Sequence, residues 1–243
     1  MWTIYRRDLS RLIHANVVAI LVVMFLVMMG ALFFVDFFDS VQALNLRKFF
    51  SQSPLLLSIF CPALTMGMIA EERRLQTLDW LETLPVHTWQ IVCAKFLACL
   101  TLLGVVLAFT ISYPLSLSAL GPLDWGPVWG GYLALWMLGG VYVSIGLLAS
   151  ALTRDQVSSF MVSFFICFLL TYVHRLSQDS AGWMATMLQN ISVSQHFTNI
   201  ARGVVDIRDV IYGLTVQGFC LAATSFGLEA GKYPQMASRK NAA

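Results

Sequence analysis

The chain has 243 residues, of which 58% are apolar and 12% charged, with a mean hydropathy of +0.74. An ordinary soluble domain carries roughly 25% charged residues, and a soluble core of this length could not hide so much apolar surface, so lipid is the solvent for most of the chain. That excludes a cytosolic enzyme, a disordered protein and a disulfide-stapled secreted domain, and a scattered net charge of +2 excludes a nucleic-acid binder.

Taken in chain order, the first predicted element covers residues 2–14. Trp2, Tyr5, Leu9 and Leu12 recur at helical spacing, while Arg6, Arg7 and Ser10 occupy other faces. This pattern predicts a helix lying in the membrane surface with its cations toward the headgroups.

Six apolar windows follow, at 15–35, 53–70, 96–120, 128–153, 156–173 and 210–228. At 1.5 Å per residue each crosses ~30 Å of hydrocarbon, the fifth only just. The first is too long for a signal-peptide core and ends in Val35-Asp36-Phe37-Phe38 rather than a small-residue cleavage site. All 28 charged residues (15 basic and 13 acidic) fall outside the windows. With the N-terminus inside, the inner segments hold ten Lys and Arg and the outer segments five, so both termini are expected to be cytoplasmic. Trp89, Trp125, Trp129 and Trp183 fall near window ends, as interfacial anchors do.

The inner segment 71–95 is the richest in signals. Leu75, Leu78, Leu81 and Leu84 form an apolar stripe, with Asp79 and Glu82 off it. Pro85 stops the helix, and Thr88 is placed to cap the next one, which runs through Lys95 into the third span. Two readings fit this short amphipathic helix: it docks into a partner's groove, or it is a solvated linker.

The outer segment 174–209 carries two further stripes, one on Trp183, Met184, Met187, Leu188 and Ile191 and one on Phe197, Ile200, Ala201, Val204 and Val205. These predict two short helices dipping into the outer interface. Arg202 and Asp206 stand four apart and could pair, and His196 is the best-placed titratable group there. Residues 231–243 read as a polar, disordered tail.

The expected fold is therefore all-α: one membrane domain over 1–230 with six transmembrane helices, an interfacial N-terminal helix, a cytoplasmic helix and short outer-face helices. None of the windows holds an ionisable residue, which argues against an ion-coupled transporter. No nucleophile elbow, zinc motif or metal cluster appears, so no catalytic or metal residue is assigned and an embedded enzyme is disfavoured. The five Cys read as small buried hydrophobes, and Met24, Met28, Met66 and Met68, with no Cys or His beside them, as packing rather than a copper site. Gly231-Lys232 lacks the rest of a Walker A loop, so the chain has no ATPase of its own. A membrane scaffold without transport is the competing reading.

Four runs carry a family resemblance: Met68-Ile-Ala-Glu-Glu-Arg-Arg-Leu-Gln-Thr-Leu-Asp-Trp-Leu-Glu-Thr-Leu-Pro-Val86, Gly121-Pro-Leu-Asp-Trp-Gly-Pro followed by Gly130-Gly-Tyr-Leu, Gly146-Leu-Leu-Ala-Ser-Ala-Leu-Thr-Arg-Asp-Gln156, and His196-Phe-Thr-Asn-Ile-Ala-Arg-Gly-Val-Val-Asp-Ile-Arg-Asp-Val210. In this order they resemble the transmembrane subunit of an ABC-2 type (type V fold) ABC transporter, closest to the gliding-motility and NosY-like permeases. Gln76 stands where that family often has Gly.

The resemblance implies a permease subunit of the bacterial inner membrane, an exporter or a mechanically coupled complex. It implies a second permease chain, as a homo- or heterodimer, and two copies of a separate ABC ATPase subunit that binds the ATP and Mg. An accessory protein with a large periplasmic domain often joins such complexes. The segment from Glu71 to Leu84 would be the coupling helix region, with Glu71, Glu72, Arg73, Leu75, Leu78, Asp79, Trp80 and Glu82 toward the ATPase. His196, Phe197, Arg202 and Asp206 would belong to the outer-face helix.

Overall fold

The computed structural model describes residues 1–39, 46–75, 87–119, 124–179 and 207–240. Among them every regular element is a helix: α1 Trp2–His14, α2 Asn16–Asp39, α3 Arg47–Thr65, α4 Ala70–Arg74, α5 Thr88–Thr110, α6 Ser112–Ser118, α7 Trp125–Leu152, α8 Gln156–Asp179 and α9 Ile207–Lys240. In hydrocarbon a helix satisfies its own backbone, which is why apolar runs of this length fold so.

Five stretches are long and apolar enough to cross a membrane: Asn16–Val35, Phe49–Arg74, Thr88–Ser118, Trp125–Leu152 and Ile207–Glu229. The fifth predicted window falls on a shorter apolar helix, Gln156–Tyr172. α1 forms where expected and ends at Ala15, whose backbone is extended. Two boundaries differ from expectation. His87, not Thr88, takes the N-cap position of α5, and Thr88 is buried as its first residue. Residues 231–240 continue α9 as helix rather than forming an unstructured tail.

α7 is the centre of the fold and packs against α3, α5, α8 and α9. Its glycines explain how. A Cβ on Gly131, Gly139 or Gly146 would run into Phe50, Leu103 or Thr65 respectively. Without Cβ atoms the neighbouring helices approach closely, and van der Waals packing of this kind associates helices in lipid, where the hydrophobic effect does not. The peripheral helices differ. α2 exposes Val17, Ile20, Val23, Met24 and Val27, and α8 exposes Val157, Met161, Phe165 and Leu169, as lipid-facing surfaces do.

The second span is interrupted. α3 ends at Thr65, and α4 begins only at Ala70. Ser150 of α7 holds the break: its Oγ accepts the N–H groups of Ile69 (3.2 Å) and Ala70 (3.0 Å) and donates to the carbonyl of Met66 (3.1 Å). A fully buried hydroxyl thereby replaces the backbone bonds that the interruption removes.

Candidate functional site

Three of the four buried charged residues among the described ones meet at the junction of α1, α4 and the first two turns of α5. On α1 the buried stripe is Ile4, Asp8 and Leu12, so one carboxylate sits between two apolar residues on the face that meets α5. On α5 Thr88, Ile91, Val92, Lys95 and Cys99 are all buried. Ile4, Ile91 and Ala94 make a small apolar cluster with Tyr5 against it. Lys95 and Asp8 are 1% exposed and Glu72 of α4 3%, so three formal charges lie out of solvent together.

Lys95 Nζ meets both carboxylates at ion-pair distance without an aligned hydrogen bond. Lys95 Nζ stands 2.8 Å from Glu72 Oε2 and 3.4 Å from Asp8 Oδ2. Arg7 binds Asp8 Oδ1 through both Nε (3.0 Å) and Nη2 (2.7 Å), and its Nη2 also lies 3.4 Å from Glu72 Oε1. Arg11 reaches Glu72 Oε1 at 3.4 Å and Glu71 Oε2 at 2.7 Å. Among the described residues three cations (Arg7, Arg11, Lys95) thus face three carboxylates (Asp8, Glu71, Glu72). A buried ion is tolerated only when paired and hydrogen-bonded. Here the arginines close the network from its solvent edge, with 47% and 42% of their side chains exposed.

Two of the residues singled out from sequence take part in the network. Arg7, half-exposed, turns to Asp8 and Glu72. Glu72 points into the chain toward Lys95. Glu71 is half-buried on Arg11, Arg73 is half-buried, and Arg74 and Leu75 are exposed. Of the predicted coupling residues, Leu78, Asp79, Trp80 and Glu82 lie outside the described residues, as do His196, Phe197, Arg202 and Asp206 of the outer segment.

Asp8 and Lys95 escaped sequence reading because each borders or precedes an apolar window. The available signal was a charge inside an apolar stripe: Ile4-Asp8-Leu12 at fourfold spacing, and Ile91-Lys95-Cys99 likewise. Lys95 lies, as expected, on the helix that runs into the third span, and that helix begins at Thr88.

Among the described residues the cluster pairs its charges with one another. Among the described residues no group of three or more His, Cys, Asp or Glu is arranged to hold a metal ion. All five cysteines are free, and four of them are buried. What the arrangement can do is mechanical, since it binds a surface helix and the end of one span to the start of the next.

No curated protein matches the chain. The family described as ABC-2 family transporter protein matches residues 2–202, a stretch that takes in α1, the α3–α4 interruption, the charged junction and the α7 core. With most of its length matched and its described residues folded as a bundle of apolar helices, the chain belongs to the ABC-2 family of transporters, as a multi-pass membrane protein of the permease type.

Proposed function

We propose that this chain is the transmembrane subunit of an ATP-driven ABC transporter of the bacterial inner membrane, powered by a separate ATPase subunit. The family match carries the reading. In the complete assembly two permease chains, identical or related, meet two ATPase subunits that bind ATP and Mg. An accessory protein with a large periplasmic domain joins them, as in the gliding-motility and NosY-like branch. The cargo is exported or mechanically moved.

The segment that follows α4 seats the motor. Support comes from its placement: it leaves α4 with Leu75 exposed and returns into α5, and both ends are fastened by the charged junction. Glu71 to Leu84 is thus the coupling region, with Leu78 and Trp80 as its anchors. A groove-docked helix concentrates its binding in a few anchors, each contributing roughly 1–3 kcal/mol. Leu78→Asp or Trp80→Asp is therefore expected to strip the partner ATPase during co-purification, while the chain remains membrane-inserted. A folded variant that keeps its motor and its full stimulation of ATP hydrolysis would show the segment to be a linker.

Six spans and two cytoplasmic termini complete the reading, with Gln156–Tyr172 and its continuation as the fifth span. The basic residues support this orientation, ten inside against five outside. Reporter fusions after Ser238 and within 178–180 are expected on opposite sides of the membrane; the same side for both would refute it.

A further inference from the structure

The buried network is an uneconomical way to hold three helices together. Well-packed apolar side chains of similar volume do so at least as well, because desolvating charges offsets most of their attraction. What charges add is register. An apolar stripe can slide by a turn and stay buried, whereas Lys95 meets Asp8 and Glu72 at once in one alignment only. The described contacts fix that alignment on every side. Lys95 joins α5 to both other helices, Arg7 joins Asp8 of its own helix to Glu72 of α4, and Arg11 joins α1 to Glu71 and Glu72.

We propose that Lys95 is the hub of an electrostatic latch that locks α1 and α4 in register on α5, so that the three move as one body when the segment between α4 and α5 is displaced. The surface helix α1 then takes part in the stroke. Its outer face carries Trp2 at 72% exposure and Ile13 at 57%. A helix held by α4 and α5 on one face and by the interface on the other converts movement of the intervening segment into movement at the membrane surface. The use of this latch in transport rests on the motor reading above; the latch itself does not.

The test measures distance in the full-length protein in lipid nanodiscs. Nitroxides go on Ile13→Cys of α1 and Leu75→Cys beside α4, both exposed, with Cys93→Ser to remove the one half-exposed native thiol. With the latch intact, pulsed electron resonance is expected to give a single narrow distance. The triple variant Lys95→Met/Glu72→Gln/Arg11→Gln removes the charge contacts that join α1, α4 and α5 and leaves Arg7 on Asp8. It is expected to fold and to lose the narrow distance for a broad distribution. If it does not fold, Asp8→Asn/Arg7→Gln/Arg11→Gln carries the test, because it keeps the Lys95–Glu72 contact and removes the charge contacts of α1 with the other two helices. An unchanged narrow distance in the folded variant overturns the latch. With the motor added, loss of ATPase stimulation together with the broadened distance supports the latch as part of coupling. Loss of stimulation with an unchanged distance overturns the latch and leaves the motor reading standing. An unmutated chain that stimulates no ATPase, while the variant still broadens, refutes the motor reading alone.

Discussion

Lys95→Glu is expected to be the most damaging single charge change in this protein. It replaces the cation that stands 2.8 Å from Glu72 and 3.4 Å from Asp8 with a third buried carboxylate. Removing one partner of a buried ion pair already costs about 3–5 kcal/mol. Reversal adds mutual repulsion in a site with almost no solvent access. Total stabilities are of the order of 5–15 kcal/mol, so the variant should fail to accumulate as a monodisperse protein in detergent. The exchange Lys95→Glu/Glu72→Lys restores one cation among the carboxylates and should recover a large part of the yield and of the melting temperature. Size-exclusion profiles of the tagged single and double variants decide it. Wild-type yield from Lys95→Glu would mean that the three charges do not meet in the folded protein. The surface control is Arg74→Glu, an exposed position at the end of α4, where little change is expected.

The helices were legible because lipid imposes the rule: a span needs about 20 apolar residues and satisfies its backbone internally. α1 was legible as a helix from its periodicity, but its buried stripe is Ile4, Asp8 and Leu12, and Trp2 of the stripe read from sequence is exposed. The junction was not. Periodicity places Lys95 on the helix that runs into the third span, but a hydropathy window stops at the first charge and gives no sign that Lys95 is buried. Glu71 and Glu72 are neighbours in sequence and point about 100° apart on a helix. Only the tertiary position of α1 decides which of them turns inward. The Ser150 bridge has the same character. Its three backbone partners lie across the interruption at 66–70, and nothing local to Ser150 announces them. The glycines of α7 were visible as residues, but the side chain each one admits belongs to another helix.

That last point sets the second large effect. Gly146→Ala should destabilise the bundle although alanine is the better helix former by ~1 kcal/mol. Its new methyl group would overlap Thr65 of α3, which is fully buried and has no free space to move into. Thr65 is also constrained in rotation. It is β-branched, and its Oγ1 already donates to the carbonyls of Cys61 (2.9 Å) and Pro62 (3.3 Å). The strain must therefore part α3 from α7, and overpacking of this kind costs roughly 1–3 kcal/mol. The displacement is directed, because Thr65 is the last residue of α3 and Ser150 lies one turn beyond Gly146 on α7. Moving the helices apart there loosens the Ser150 bonds to Ile69 and Ala70, and with them the seat of α4 and Glu72. Gly146→Ala should accordingly lower both the melting temperature and the yield of assembled protein. Adding Thr65→Ala removes the obstructing hydroxyl and methyl groups and should recover much of the loss. Gly126→Ala is the matched control, since nothing lies within 4 Å of a Cβ there, and it should be neutral or slightly stabilising. If Gly146→Ala and Gly126→Ala melted alike in the same detergent, α3 and α7 would not touch at Gly146, and the close packing assigned to the centre of the fold would be wrong.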